Sequence, residues 1–224
     1  MPTVLITGAS RGIGLEFARQ YAADGWRVIA TCRAPDKAEA LRAIRPAVAL
    51  HALDVADLAR IAALGRALAG ETIDVMIANA GIYIGRAMTP ETVEAAPWLE
   101  SFAVNTIAPL ACAGAFLPQV ARSSERKMIA LGSAAGSLTR IRYGGAYVYR
   151  SSKAALHAVW RALAFDHPEI IAALLSPSRA RTDMNPTGEL PVAESVAGMR
   201  RVIAGLTRQD SGGFFRHTGE PAPW

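Results

Sequence analysis

Short apolar runs recur along the chain, each followed by a longer stretch in which apolar residues return every third or fourth position. The first run, residues 4–7, reads as a buried parallel strand. A loop over residues 8–14 follows, then helical spacing over residues 15–23 with Gly25 placed to end the helix. Further strands are expected at Arg27–Cys32, 48–53, 73–78, Lys127–Leu131, 170–175 and 213–216. Helices are expected at 38–44 with Pro35 near the start, from Asp57 as N-cap to 69, and at 98–120, 149–165 and 193–206. Pro109 and Pro118 should kink or end the 98–120 helix. Seven strands interleaved with helices imply α/β architecture with one doubly wound parallel sheet. No repeat, low-complexity segment or linker breaks the pattern, and residues 188–191 come nearest to a hinge.

Length and composition fit one such domain over residues 1–224, with 51% apolar residues to fill a large core. The run at 4–6 leads straight into Thr7-Gly8, too short for a secretory leader, and no apolar stretch approaches the ~20 residues of a membrane span. Cys32 and Cys112 make neither a disulfide framework nor a metal spacing, so both are expected as reduced thiols in a cytoplasmic protein. The formal net charge is +5, carried almost wholly by arginine; the lysines are Lys37, Lys127 and Lys153. The basic residues neither cluster nor interleave with aromatics, which argues against a nucleic-acid partner. His51, His157, His167 and His217 lack metal-ligand spacing and read as structural or surface residues.

Chemistry enters at the first strand–helix crossover, Thr7-Gly8-Ala9-Ser10-Arg11-Gly12-Ile13-Gly14. Gly8, Gly12 and Gly14 allow a tight turn and close approach of a pyrophosphate to the helix N-terminus, with Ser10, Arg11 and Ile13 beside it. This makes the sheet Rossmann-type. An acidic residue ending strand two would hold the 2′-hydroxyl of NAD; here Arg33 stands there, and no acid occurs before Asp36. Arg11 and Arg33 can instead meet a 2′-phosphate, so NADP(H) is preferred over NAD(H). Tyr149 and Lys153 lie four apart on an expected helix and so share a face. A cation beside the phenol should lower its pKa from ~10 and fit it for proton transfer. Tyr143 and Tyr147 have no lysine four residues on. Ser133, immediately beyond strand five, is preferred to Ser137 because ligands bind at the carboxyl ends of such strands.

Together these residues resemble the short-chain dehydrogenase/reductase family over essentially the whole chain. Residues 7–14 match its TGxxxGxG; Asp54-Val55 resembles the element beside the adenine ring; Asn79-Ala80-Gly81 matches its NAG. Asn105, Ser133, Tyr149 and Lys153 fall where the family places its catalytic tetrad. Residues 144–153 and 194–224 are similar to a narrower group containing the C-factor cell-signalling protein and Sniffer-like carbonyl reductases. The resemblance implies reduction of a carbonyl to an alcohol, reversibly. Tyr149 would act as acid, Ser133 as hydrogen-bond donor to the developing alkoxide, Lys153 as ligand of the nicotinamide ribose, and Asn105 as holder of a water linking Lys153 to solvent. It also implies a homodimer or homotetramer acting on a small-molecule carbonyl or alcohol.

Three departures stand out. Ala78 occupies a position where the family often has asparagine, and a small structural effect is expected. In Pro177-Ser178-Arg179-Ala180-Arg181-Thr182, Ser178 and Ala180 replace the Gly and Val of PGxVxT, whose backbone and Thr hold the nicotinamide carboxamide. Pro177, Ala180 and Thr182 are expected to touch the cofactor, with weaker placement than usual because serine is awkward where φ is positive. The short stretch after Met184 predicts an open pocket, formed by loops including 82–97 and 183–192, and broad carbonyl specificity. Arg179 reads as a surface charge in preference to an attractor of acidic substrates. Rival readings are a cofactor-binding signalling protein with little turnover, or a reductase of a quinone, pterin or enoyl acceptor.

Overall fold

The computed structural model describes residues 1–46 and 48–224. Its strands are β1 (Thr3–Ile6), β2 (Arg27–Cys32), β3 (Ala49–Ala52), β4 (Val75–Ala78), β5 (Lys127–Leu131), β6 (Ile171–Ser176) and β7 (Phe214–Arg216). They form one sheet in the order β3-β2-β1-β4-β5-β6-β7, with every pairing parallel. The helices are α1 (Gly12–Ala23), α2 (Glu39–Arg42), α3 (Leu58–Ala67), α4 (Ala95–Phe102), α5 (Ala108–Ala121), α6 (Tyr147–Asp166) and α7 (Val192–Gly205).

Helices cover both faces of the sheet, which is why β1, β4, β5 and β6 are buried at every position and are mostly apolar. On one face Phe17 and Tyr21 of α1 and Val196, Met199 and Ile203 of α7 pack against Val4, Ile6 and Ile77. On the other, Cys112 and Phe116 of α5 and Leu156 and Trp160 of α6 pack against Leu5, Met76 and Met128. Lys127, buried in β5, is held by Glu125 at 2.7 Å and by the Ala204 carbonyl at 3.0 Å. Strand order reverses between β1 and β4, which opens a crevice at the strands' carboxyl ends.

Most expected elements are present with shifted ends. α2 is one turn, preceded by a 3₁₀ turn at Pro35–Lys37 that takes up the proline. Asp57 caps α3 by accepting from the Arg60 N–H at 3.1 Å. Gly25, at φ +76°, follows the end of α1 and donates to the Ala22 carbonyl. Residues 188–191 are fitted in place: a Cβ on Gly188 would lie 2.5 Å from the Arg179 carbonyl.

The 98–120 helix needs correction. Neither proline ends it, and helical backbone continues from Ala95 to Ala121. Between α4 and α5 the turns widen into a π segment, Ala103–Ile107, where the Ala108 N–H reaches the Ala103 carbonyl. Pro109 then directly follows the π segment, where the bonding register has already changed, and Pro118 falls in the last turn. Taken whole, this run is long and apolar enough to cross a membrane, although prolines and polar residues interrupt its apolar stretches. In the fold its Val104, Ala108, Cys112, Phe116 and Val120 are spent on the core.

Candidate active site

The glycine loop lies in the crevice and is locked from below by β4. The Asn79 Nδ2 donates to the Thr7 and Gly8 carbonyls at 2.8 and 3.0 Å, and the Thr7 hydroxyl accepts from the N–H groups of Asn79 and Ala80. Gly8 has φ +67°, and a Cβ there would lie 2.8 Å from the Ala80 Cα. A Cβ on Gly14 would meet the Gly8 carbonyl at 2.5 Å and the Asn79 amide closer still. The N-cap of α1, Arg11, makes no side-chain cap bond, so the first N–H groups of the helix stay open to an anion.

One cleft is lined by the loop residues Gly8, Ser10, Arg11, Gly12, Ile13 and Gly14, by Arg33, Asp54 and Val55, and by Asn79, Ala80 and Gly81. Ser133, Tyr149, Lys153, Pro177, Ala180 and Thr182 line it too. Arg11 makes only a loose, exposed contact with Asp183 at 3.8 Å. The cradle lacking Cβ atoms, the open helix end and the two guanidiniums without an acid at the end of β2 fit a phosphorylated nicotinamide dinucleotide. The loop and α1 would hold its pyrophosphate, Arg11 and Arg33 its 2′-phosphate, and Asp54 and Val55 its adenine side.

Tyr149, Lys153 and His157 follow one another at four-residue spacing along α6 and share a stripe. Ser133 is fixed on two sides: its N–H donates to His157 Nε2 at 3.3 Å, and its hydroxyl oxygen accepts from the Ala135 N–H at 3.1 Å. The hydroxyl proton remains available to a ligand. Ser137 is fully buried and donates to the Trp224 carbonyl at 3.0 Å, outside the cleft. Tyr143 and Tyr147 are exposed and also lie outside it. The Asn105 side chain is consumed by backbone: Nδ2 donates to the Ile82 carbonyl and Oδ1 accepts from the Ile82 N–H, both at 2.9 Å. Nδ2 also lies within bonding distance of the Ser101 and Ser152 hydroxyls at 3.1 and 3.0 Å.

The expected lowering of the Tyr149 pKa is also corrected. Burial pushes the phenol up; Ser133 and Arg86 draw it down, and Tyr83 adds to the rise. Lys153 Nζ lies 5.9 Å from the phenol ring centroid and donates to the Leu131 carbonyl at 2.9 Å. Burial brings Lys153 itself down to about 8. His157, buried beside Lys153, is pushed down to about 4, so it is neutral and able to accept from Ser133.

Ser178 adopts φ +58°, the left-handed backbone that the replaced glycine would favour. Its hydroxyl lies 2.8 Å from His217 Nδ1 and its N–H donates to Ser176 Oγ at 3.3 Å. Ala180 is buried and bridges to Leu190. Thr182 faces the glycine loop, its Cγ2 3.7 Å from where a Gly12 Cβ would lie. Tyr83 and Arg86, unmarked in the sequence reading, also line the cleft, and the Tyr83 ring stacks on Tyr149 with centroids 4.3 Å apart. An aromatic and a cation three residues apart, just past the NAG turn, were the available signal.

Fold and cleft define a dinucleotide-binding oxidoreductase of the Rossmann type. The chain belongs to the short-chain dehydrogenase family, whose model matches residues 2–189. It is 39% identical over 155 residues to C-signal of Myxococcus xanthus, a match covering 68% of this chain and 93% of that protein. Among solved structures, NADPH-bound carbonyl reductase from chicken fatty liver superposes with TM-score 0.90 at 33% identity, over 100% of this chain and 99% of the other. Carbonyl reductase Sniffer of D. melanogaster gives 0.92 at 27% identity, over the full length of both.

Proposed function

We propose that the protein is an NADP(H)-dependent carbonyl reductase, reversible as an alcohol dehydrogenase. The observation that carries this reading is that Ser133, Tyr149 and Lys153 line the same cleft as the glycine loop and Arg33. The likeness to an NADPH-bound carbonyl reductase supports it. When bound, the nicotinamide supplies the hydride.

The chain's own groups do the rest. Burial keeps Tyr149 protonated at neutral pH, the form a proton donor needs. The Ser133 hydroxyl, with its oxygen already accepting from Ala135, is free to donate its proton to a substrate oxygen and so stabilise charge developing there. Lys153, buried and tied to Leu131, holds positive charge beside the site and offers its remaining N–H groups to the nicotinamide ribose. Asn105 ties the Ile82 turn to the π segment and thereby fixes the cleft wall.

NADPH oxidation against a panel of aldehydes and ketones tests the reading. Tyr149→Phe is expected to lower turnover by at least about 100-fold while still binding NADPH; turnover near the wild-type rate in that variant overturns the assignment. The likeness to C-signal favours a second reading, a cofactor-binding signalling protein with little turnover. It predicts NADPH binding without reduction of any panel member, and a biological effect that survives Tyr149→Phe.

A further inference from the structure

The proton and cofactor chemistry above makes no use of Arg86. Its guanidinium carbon lies 4.1 Å from the centroid of the Tyr83 ring, and Nη2 donates to the Met184 carbonyl at 2.6 Å. Tyr83 in turn stacks on the Tyr149 ring, the planes 24° apart. The cation is thus braced by one carbonyl and one aromatic face, and that aromatic ring also touches Tyr149. Neither brace carries a compensating charge, and among the described residues no carboxylate forms an ion pair with Arg86. One bond to Met184 also leaves most of its N–H donors unspent. Arg179, read from the sequence as a surface charge, lies outside the cleft and faces Glu189 at 3.9 Å.

A guanidinium fixed in this way is suited to the two oxygens of a carboxylate, which it meets as a planar fork. Tyr83 is in contact with both Arg86 and Tyr149, and all three line the cleft, so the guanidinium and the reacting phenol border the same part of it. We propose that Arg86 selects carbonyl substrates that carry a carboxylate, with Tyr83 and the Met184 carbonyl holding it in position. This rests on the carbonyl-reductase reading and narrows the broad specificity expected of an open pocket. Glu100 lines the same cleft and sets the opposing prediction, a preference for cationic substrates.

The test compares kcat/KM with NADPH for 4-carboxybenzaldehyde, its methyl ester and 4-(trimethylammonio)benzaldehyde. Wild type, Arg86→Met and Arg86→Lys are each measured at low and high NaCl. The acid is expected to exceed the ester by about tenfold in wild type, with the ratio shrinking as salt screens the exposed guanidinium. Arg86→Met should bring that ratio to within about threefold of unity, and Arg86→Lys should keep part of it because the charge stays while the fork is lost. Equal use of acid and ester by wild type, or an Arg86→Met variant that lowers both alike, overturns the proposal and leaves the reductase reading standing. A preference for the cation overturns it as well and transfers recognition to Glu100. No reduction of any of the three by NADPH-saturated wild type overturns both.

Discussion

Ser178 shows how a single departure from a family pattern is accommodated. A side chain at φ +58° costs on the order of 1–2 kcal/mol relative to glycine, and the hydroxyl's bond to His217 Nδ1 offsets part of it. The coupling between the two residues is therefore expected to be about 1 kcal/mol. A double-mutant cycle on urea midpoints checks this: His217→Ala should cost more in wild type than in the Ser178→Gly background by about that amount. Equal costs in both backgrounds would mean that the 2.8 Å contact does nothing for the loop. The replacement itself was legible in the sequence, but its partner was not. His217 sits on the far side of α7 in chain order, and only the sheet brings β7 beside β6. His157 is the opposite case. Its place eight residues after Tyr149 was open to reading, yet only the folded chain shows that its ring meets the Ser133 N–H.

Elements follow the same division. The inner strands were legible because burial on two faces makes them largely apolar, although β4 begins two residues later than its pattern implied; β3, at the sheet's edge, and α2 also came out shorter. The π segment left no periodic mark beyond Pro109, since one widened turn changes the phase of the apolar stripe without removing it. Entry into α1 depends on backbone with no room for a methyl group at Gly14. Gly14→Ala is expected to destabilise the protein by about 1–3 kcal/mol through overpacking against Gly8 and Asn79. It should also weaken NADPH binding, because the same backbone forms the phosphate cradle. Urea unfolding and a fluorescence titration with NADPH read the two effects separately.

At the scale of the molecule, the reversal of strand order between β1 and β4 gathers the glycine loop, the end of β2, the residue after β5 and the start of α6 into one cleft. Cofactor binding is therefore expected to stabilise the whole fold, by about 2.7 kcal/mol at one hundred times Kd. Thermal unfolding should rise further with NADPH than with NADH at equal concentration, and Arg33→Ala should close most of that gap by removing the 2′-phosphate ligand. An equal rise with both cofactors in wild type would remove the stated basis for NADP(H) preference. The Asn79 amide that ties the Thr7 and Gly8 carbonyls also bears on engineering. The phosphate loop is not a portable cassette. A chimera that imports residues 7–14 into another scaffold without the 79–81 turn would carry the glycines but lose the clasp that shapes them, so the two segments must be exchanged together.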